Sequence, residues 1–338
     1  MYNKLFKKKP FFIAEISANH NGSLKLAKEL IKTAKKNGAD AVKLQSYSPE
    51  TITLNSKRSE FKIKEGLWKG NYLWDLYKKA QTPFSWHKEL FNYARKQKII
   101  CFSSPFDETA VDLLESLKCP FYKLASFEIT HLPLIKKIAL TKKPIIISTG
   151  MASLQEIDSA VNCAKKFGSK KIILLYCVSK YPSKYTDFNF NNISILKKRY
   201  KCTVGFSDHS TDLAVVSTAV ASGAEVVEKH IALDSQKNAI DIAFSAKGKE
   251  IKEYSEVIKK TYSMIGKNFF YSTSDEKKNK IFRRSIYAIK DIKKGEKFTT
   301  KNIKVVRPNK GLEPRWYFNM INKKSRFFYK MNNPIKKI

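Results

Sequence analysis

The stretch LKLAKELIKTAKKNGADAVKLQSY, residues 24–47, joins a helical pattern to a short apolar run. Leu24–Lys36 repeats apolar residues at helical spacing, and Gly38 stands where such a helix should end. The run Ala41–Tyr47 is mostly apolar, as expected for a strand that is buried on both faces of a parallel sheet. A helix that leads into a buried strand is the repeating unit of α/β proteins, so this stretch predicts that fold class.

The same alternation continues along most of the chain. Apolar runs that predict strands are Phe11–Ser17, Ala41–Tyr47, Ile99–Ser104, Phe121–Ser126, Pro144–Thr149, Ile172–Val178, Thr203–Ser207 and Glu225–Ile231. Between them lie amphipathic segments such as Leu154–Lys166, where Ser153 and Glu156 predict a capping box. Gly168 and Gly223 mark further helix ends. A doubly wound open sheet is an alternative, but eight evenly spaced units favour a closed (β/α)8 TIM barrel.

The pattern also predicts where the chain divides. We expect a TIM-barrel catalytic domain at residues 1–267, a polar linker at residues 268–282 and a small β-rich domain at residues 283–338. The last domain is too small to be robust alone, so we expect it to pack on a barrel. The segment 48–82 is far longer than an ordinary connection between strand and helix, and long barrel loops of this kind are usually functional.

The charge balance is extreme. The 338 residues include 65 Lys and Arg against 30 Asp and Glu, which gives a net charge of +35. Such a surface could bind polyanions, but the lysines are spread along the chain instead of forming one stripe. A milder interpretation is a positive field that attracts an anionic small molecule. We therefore expect no nucleic-acid partner and leave the binding protein as a remote alternative.

The cysteines and the hydropathy pattern favour a cytoplasmic protein. Five cysteines are scattered without a C-x-x-C pair, at Cys101, Cys119, Cys163, Cys177 and Cys202. This usage is typical of reduced thiols in the cytosol. No apolar run approaches the 18 residues of a membrane helix, so we expect no membrane partner.

Polar residues gather at the ends of the predicted strands, where barrel enzymes have their active sites. Lys43 and Gln45 are two residues apart, so both side chains point to the same side of their strand. A lysine that points into a barrel is costly unless an anion lies there. The side chains that we expect to hold phosphate and carboxylate oxygens are Lys43, Lys123, Ser126 and Ser148.

Two histidines predict a metal centre. His209 and His230 follow adjacent strands, so their imidazoles can share one divalent ion and leave positions open for water and substrate. We expect Mn or Mg, with Co as an alternative, since a zinc site would need a third protein ligand. Glu15, at the end of the first strand, is the candidate that positions or deprotonates a water or hydroxyl group.

These strand ends resemble the sialic acid synthase family. The resemblance rests on EISANHNG at 15–22, GADAVKLQ at 38–45, CFSSPFD at 101–107, KLASFEI at 123–129, ISTGMA at 147–152, GFSDHS at 205–210 and EKH at 228–230. The C-terminal part is similar to the antifreeze-like (SAF) domain of that family, through RRSIYAIKDIKKGEKFT at 283–299 and VRP at 306–308. The similarity extends over nearly the whole chain.

The resemblance implies a transferase that condenses phosphoenolpyruvate with an amino-sugar aldehyde and water. It implies that Ser179 joins the groups that bind phosphate and carboxylate, and that Gln45, Glu128 and Tyr181 line the pocket. Ser207 and Asp241 are further candidates for substrate binding. The resemblance also implies that Arg307 is inserted into the partner's site in a domain-swapped homodimer.

Within the family, three segments favour the branch that makes pseudaminic acid. They are GLWKG at 66–70, TPFSWH at 82–87 and CVSKYP at 177–182, where Ser179 replaces a usual Asn. The implied acceptor is 2,4-diacetamido-2,4,6-trideoxy-L-altrose. A synthase of sialic or legionaminic acid is the alternative by the same chemistry. A degenerate synthase, whose C-terminal domain no longer serves a neighbouring subunit, is a third interpretation.

Overall fold

The computed structural model describes residues 9–337, so residues 1–8 and 338 of the predicted domains lie outside the described residues. The chain divides into two compact units between Gly266 and Lys267. This division lies one residue before the predicted end of the barrel domain. Each unit has a hydrophobic core of its own.

The first unit is a closed barrel of parallel strands, and the predicted fold class is confirmed. Its strands are β1 Phe11–Glu15, β2 Ala41–Ser46, β3 Ile100–Pro105, β4 Tyr122–Leu124, β5 Ile145–Ser148, β6 Ile172–Cys177, β7 Thr203–Asp208 and β8 Val226–Ala232. Each strand pairs with the next in parallel, and β1 pairs with β8 to close the sheet. Glu15 stands opposite Lys43 on one side and His230 on the other, so the closure brings three predicted site residues into one row.

Helices surround these strands. In the first unit they are α1 Leu24–Lys36, α2 Pro49–Ile52, α3 Leu73–Ala80, α4 Phe84–Lys96, α5 Glu108–Ser116, α6 Leu132–Leu140, α7 Leu154–Lys166, α8 Asn191–Tyr200, α9 Leu213–Ala221 and α10 Lys249–Ile265. The bounds predicted for α1 and α7 are confirmed. So is the capping box of α7, in which Ser153 Oγ accepts the Glu156 amide at 3.3 Å and Glu156 Oε2 accepts the Ser153 amide at 2.7 Å.

The barrel core consists of strand residues and the inner faces of the helices. Apolar positions of the strands such as Ile13, Val42, Phe102 and Phe206 are fully buried. The apolar residues of α1 that face the strands, such as Leu30, are also fully buried. This near-continuous burial explains why the strands read as uninterrupted apolar runs instead of alternating patterns.

The insertion after β2 forms a structured cover instead of an extended loop. Residues 62–72 make a small hairpin, in which Ile63 donates to the Asn71 carbonyl at 2.9 Å. Helix α3 follows this hairpin directly and packs beside Tyr47, the residue after β2. Gly70 has a φ of 92°, a conformation that favours glycine at the hairpin turn.

The second unit is small and β-rich, as predicted. Strands β10 Ser285–Ala288 and β11 Ile303–Val306 pair antiparallel, after the short β9 Ala246–Lys247 that ends the barrel sheet. Its core contains Ile286, Phe298 and Ile303, all essentially inaccessible to solvent.

The predicted linker at residues 268–282 belongs to the second compact unit. It contains a short helix, α11 Ser274–Lys278, and a 3-10 turn at Asn279–Phe282, which were not predicted. Thr273 caps this helix, and Glu276 Oε2 accepts the Thr273 amide at 2.8 Å. The segment has no apolar periodicity, so hydropathy alone gave no helix signal there. The remaining helix of this unit is α12 Tyr317–Met320. Among residues 9–337, no helix is long and apolar enough to cross a membrane.

Candidate active site

A cavity of about 390 Å³ opens at the carboxyl ends of the barrel strands. The predicted barrel residues that line it are Lys43, Gln45, Lys123, Ser126, Glu128, Ser148, Tyr181, Ser207, His209, His230 and Asp241. Of the predicted barrel residues, all of which the structure describes, Glu15 and Ser179 do not line this cavity. One cavity therefore brings together residues from the ends of six different strands, as expected for a barrel enzyme.

Three charged side chains, Lys43, Lys123 and Glu228, form the floor of the cavity, and a fourth, Glu15, pairs with Lys43 from behind it. The Nζ of Lys43 lies 2.5 Å from Glu15 Oε2 and 3.6 Å from Glu228 Oε1. The Nζ of Lys123 donates to both carboxylate oxygens of Glu228 at 2.9 Å. All four side chains are at most 5% exposed, so the group is held out of water. Buried charges of this kind are tolerated when each has a partner.

The inward lysines are already paired with protein carboxylates. The inward lysines were expected to require a substrate anion, but protein carboxylates already compensate their charge. Glu228 supplies much of this compensation, and it was not among the predicted site residues. Burial opposes its charge, but Lys123 and Lys43 hold the pKa of Glu228 at about 2. The binding of substrate oxygens by these lysines stays a prediction.

Glu15 lies behind the cavity wall. Its Oε1 accepts the Ser17 amide at 2.8 Å and the Gln45 side chain at 3.3 Å, and its Oε2 faces Lys43. Burial, aided by the nearby Glu228 carboxylate, raises the pKa of Glu15 despite the Lys43 ammonium. The structure therefore places Glu15 where it orients Lys43 and Gln45, rather than in direct contact with the cavity.

Ser126, Ser148 and Ser179 lie at or just after the ends of β4, β5 and β6. Ser126 Oγ accepts the Gly150 amide at 3.2 Å. The hydroxyls of Ser148 and Ser179 are buried without a hydrogen-bond partner among the described residues. A Cβ at position 150 would lie 2.2 Å from Ser179 Oγ and 2.8 Å from Ser126 Oγ, so only glycine allows this approach. Buried hydroxyls with unused donors are suited to an anionic oxygen.

His209 and His230 line the same cavity, with ring centroids 5.6 Å apart. His209 Nδ1 lies 3.0 Å from the Val178 carbonyl oxygen, which fixes the ring and leaves Nε2 for a ligand. His230 Nδ1 is buried and lacks a hydrogen-bond partner in residues 9–337. Burial and the nearby His209 hold the pKa of His230 well below its usual value, so this imidazole is neutral.

The His230 imidazole fits an open metal site, and His209 lines the same cavity, although the neighbouring Cys177 raises the pKa of His209 against the effect of its burial. A neutral, buried and unpartnered ring nitrogen is what a divalent ion requires of histidine. Asp241 Oδ2 lies 3.7 Å from His230 Nδ1 and accepts the Ser17 hydroxyl at 2.5 Å. Within the described chain, no three His, Cys, Asp or Glu side chains gather into a complete ligand set. His209 and His230 are therefore the two side chains that could hold a divalent ion here, with other positions open to water or substrate, and the metal site stays a prediction.

Comparison with known proteins now identifies the family. Residues 30–269 match the NeuB family, which is more than half of the chain, and residues 283–320 match the SAF domain. The chain belongs to the NeuB family. The family resemblance found in the sequence is thereby confirmed, and this NeuB-family chain is an enzyme related to the sialic acid synthases.

Individual relatives agree with this assignment. The chain is 43% identical to the pseudaminic acid synthase of Helicobacter pylori over 327 residues, which cover 96% of each chain. It is 41% identical to the pseudaminic acid synthase of Campylobacter jejuni, over 97% of this chain and 96% of the relative. The crystal structure of N-acetylneuraminic acid synthetase from Leptospira borgpetersenii, in complex with citrate, is similar with a TM-score of 0.72 and 32% identity. That match covers 80% of this chain and 90% of the other.

Several residues of this NeuB-family cavity were missed from the sequence. They are Ser17, Tyr47, Ile52, Ile63, Trp68, Leu73, Leu76, Tyr77, Cys177, Glu228, Ile240 and Phe244. Glu228 could have been found, because it precedes His230 by two residues and therefore shares its face of the strand. Trp68 lies in the segment 66–70 that the resemblance singled out. The other residues of the insertion carried no comparable signal, because their position depends on how the hairpin and α3 fold over the barrel.

Arg307 lies in the SAF unit, on an exposed position immediately after β11. Its predicted role in a neighbouring subunit concerns an assembly of two chains and stays a prediction.

A second buried network supports the histidines from the outer face of the barrel. Lys229, which separates Glu228 from His230, donates to the Ser210 carbonyl and lies 3.6 Å from Asp208 Oδ2. Asp208 Oδ2 also accepts the Tyr254 hydroxyl of α10 at 2.8 Å, and Asp208 Oδ1 accepts the Ser210 amide at 2.8 Å. These contacts fix the turn that carries His209 in the NeuB-family site.

Lys229→Met should lower the free energy of unfolding by about 3–5 kcal/mol, because the Asp208 carboxylate is left buried without its cation. Urea unfolding measures this loss. Lys252→Met is the matched control, since Lys252 is 68% exposed and pairs with Glu256 at 3.9 Å. That surface change should cost less than about 1 kcal/mol. Equal losses in the two variants would show that the Asp208 network does not stabilise the fold.

Proposed function

We propose that this NeuB-family enzyme is a pseudaminic acid synthase. It condenses phosphoenolpyruvate with the open-chain aldehyde of 2,4-diacetamido-2,4,6-trideoxy-L-altrose and water, and it releases phosphate. The observation that carries this proposal is one cavity that joins two inward lysines and the unpartnered Ser148 hydroxyl to two buried imidazoles. The high identity to two pseudaminic acid synthases supports the choice of sugar. The reaction class is that of a transferase.

The lysine and serine end of the cavity would bind phosphoenolpyruvate. Lys43 and Lys123 keep ammonium hydrogens available beside their carboxylate partners, and each ammonium has three donors. Ser126 and Ser148 line the same cavity and add hydroxyl donors, and Ser179 lies beside Ser126 at Gly150. Charge-assisted hydrogen bonds at this end hold the phosphate and carboxylate oxygens and orient C3 toward the sugar.

The histidine end would take the sugar aldehyde. His209 and His230 would hold a divalent ion there, with Mn or Mg as the proposed metal. When bound, such an ion polarises the aldehyde oxygen as a Lewis acid. Glu128 and Asp241 line the cavity and would accept hydrogen bonds from sugar hydroxyl or amide groups. Tyr181 lies against His209 at a ring distance of 4.4 Å and narrows this end.

The bond changes balance without a further reactant. C3 of phosphoenolpyruvate forms a bond to the aldehyde carbon, and the aldehyde oxygen takes up a proton. Positive charge develops at C2, where water adds and loses its proton. The resulting tetrahedral intermediate expels phosphate by cleavage of the C–O bond. Glu15 would act as a positioning residue, because it holds Lys43 and Gln45 and stays behind the cavity wall.

The proposal is tested by phosphate release from phosphoenolpyruvate with each candidate sugar, in the presence of Mn and after chelation. In water enriched in oxygen-18, cleavage of the C–O bond leaves the released phosphate without the heavy isotope. Metal-dependent release that requires the diacetamido trideoxy sugar is the expected result. A folded protein that releases no phosphate with any sugar would overturn the proposal. A DNA mobility shift lost at modest salt would then favour the basic binding protein.

The buried carboxyl group of Glu128 should make the stability of the fold depend on pH. Burial raises the pKa of its carboxyl to about 7, and its Oε2 lacks a partner among residues 9–337. The folded chain therefore binds one more proton than the unfolded chain between the ordinary carboxyl pKa and pH 7. This contribution to stability is present at low pH and is lost as pH rises through 7.

Between pH 5.5 and pH 8 the Glu128 carboxyl should lower the free energy of unfolding by about 2 kcal/mol. Urea unfolding of the wild type and of Glu128→Gln across this range isolates the effect, since other groups titrate equally in both. The variant should lose less stability with rising pH than the wild type. Parallel pH profiles would contradict a raised pKa at this position.

We also propose a domain-swapped homodimer in which Arg307 of one subunit contacts substrate in the partner's barrel. The exposed position of Arg307, after β11 of the SAF unit, supports this assignment because the side chain is free of a buried structural role. A cytoplasmic location is proposed on the thiols, since all five cysteines are free.

Subunit complementation distinguishes the two placements of Arg307. Arg307→Ala keeps the barrel intact, and Lys123→Met keeps the arginine. If each barrel uses its partner's arginine, mixing the two inactive proteins under exchange restores about a quarter of wild-type activity, because half of the dimers regain one of two sites. Phosphate release measures this recovery, and a mixture of differently tagged Arg307→Ala chains is the control. An inactive mixture despite proven exchange would place the arginine within its own subunit.

A further inference from the structure

One side of the cavity is apolar, in contrast to its charged floor. We define the apolar wall as Ile52, Ile63, Trp68, Leu73, Leu76 and Ile240. All six side chains are half-buried, whereas apolar residues of the barrel core such as Val42 are fully buried. Most of the wall comes from the insertion after β2, which covers the barrel mouth. Apolar side chains that line an open cavity are available to a ligand rather than to packing.

The wall is held in place by the protein itself. Trp68 Nε1 donates to the Ile240 carbonyl at 3.2 Å, so the polar atom of the indole is already satisfied. The Trp68 ring lies 5.5 Å from the ring of Tyr181, and that ring lies 4.4 Å from His209. The Tyr181 ring therefore lies between the apolar wall and the histidine end of the cavity.

If the proposed function holds, the two ends of the acceptor sugar correspond to the two ends of the cavity. The aldehyde carbon C1 must lie at the histidine end, where the new bond forms. C6 is the far end of the same carbon chain and extends away from the charged floor toward the insertion. A methyl group at C6 gains from contact with apolar side chains. A hydroxyl group there would lose its hydrogen bonds to water without gaining a partner.

We propose that the apolar wall recognises the C6 methyl group of the acceptor and discriminates against sugars that carry a C6 hydroxyl group. The insertion after β2 is then a specificity element, and the charged floor serves phosphoenolpyruvate alone. This inference rests on the proposed function. It names the C6 methyl group as the part of the substrate that the insertion contacts.

The test compares two sugars that differ by one oxygen, 2,4-diacetamido-2,4,6-trideoxy-L-altrose and its 6-hydroxy counterpart. Phosphate release gives kcat/KM for each sugar with saturating phosphoenolpyruvate. The wild type should prefer the 6-deoxy sugar by about a hundredfold, the discrimination that a hydrophobic pocket achieves against an added hydroxyl. Leu76→Asn and Trp68→Gln place polar groups in the wall and should reduce that preference to about tenfold or less.

Leu67→Asn is the matched control, because Leu67 is on the same hairpin, is 45% exposed and is absent from the described cavity lining. It should keep the wild-type preference. The wall variants should raise KM for the 6-deoxy sugar while KM for phosphoenolpyruvate stays unchanged, which a general loss of structure would not produce.

The outcomes separate the two proposals. Wild-type turnover with equal kcat/KM for both sugars, or a preference unchanged in both wall variants, overturns the role of the wall and leaves the proposed function intact. Absence of wild-type turnover with every sugar overturns the proposed function and this inference with it.

Discussion

Lys123→Met should reduce kcat/KM for phosphate release by about a thousandfold, the scale expected when a preorganised charge is removed from a site shielded from water. Lys123 is 2% exposed and reaches the cavity floor, where its Nζ donates to both oxygens of Glu228. The substitution removes one of the two ammonium groups that are proposed to bind the substrate's phosphate and carboxylate oxygens. It also leaves Glu228 close to Glu15 with only Lys43 between them. Steady-state kinetics with varied phosphoenolpyruvate measures the effect.

A second variant separates catalysis from folding. Lys123→Met alone should cost about 3–5 kcal/mol of stability, because a buried carboxylate loses its partner. Lys123→Met combined with Glu228→Gln removes both charges and keeps the Glu15–Lys43 pair at 2.5 Å. The double variant should regain most of that stability and stay inactive. Activity within tenfold of the wild type in either folded variant would refute a substrate-binding role for Lys123.

Sequence patterns predicted those parts of the fold that depend on local periodicity. The strands β1 to β8 are short apolar runs because both of their faces are buried, and α1 and α7 end at glycines with positive φ values that follow their last turns. Helix α11 was missed because its signal is the Thr273 cap and not an apolar stripe. Hydropathy detects elements that bury a face, and this helix buries none of its own residues.

The candidate site was predictable where strand geometry determines it. Lys43, Gln45 and His230 point inward because alternate residues of a strand share a face, and parallel strand ends meet at one end of a barrel. The pairing of Lys43 with Glu15 and Glu228 was not predictable, since it depends on how three neighbouring strands register. The same holds for Ser126 and Ser179, whose hydroxyls approach each other only because Gly150 has no side chain.

The contacts of the insertion after β2 could not be predicted from local sequence patterns. Residues 66–70 were singled out by resemblance, but no local pattern indicates that Trp68 bonds to the Ile240 carbonyl across the barrel mouth. That contact depends on the hairpin of residues 62–72 and on the loop after β8, which are far apart in sequence. Loops acquire their functional geometry from the scaffold below them, and a rigid barrel permits such variation at its strand ends.

His209→Gln and His230→Gln should each lower phosphate release by about a thousandfold, corresponding to several kcal/mol of transition-state stabilisation that a Lewis acid supplies. Each variant should also bind Mn more weakly, by more than the roughly 10–100-fold that loss of an outer partner costs. His131→Asn is the matched control. His131 is exposed, and its ring accepts the Leu134 amide at 3.2 Å as a helix cap, a role that asparagine keeps. Free Mn measured by electron paramagnetic resonance reports binding independently of turnover. Chelation should abolish wild-type activity reversibly, and full activity of either His variant in metal-free buffer would exclude a metal centre at these two imidazoles.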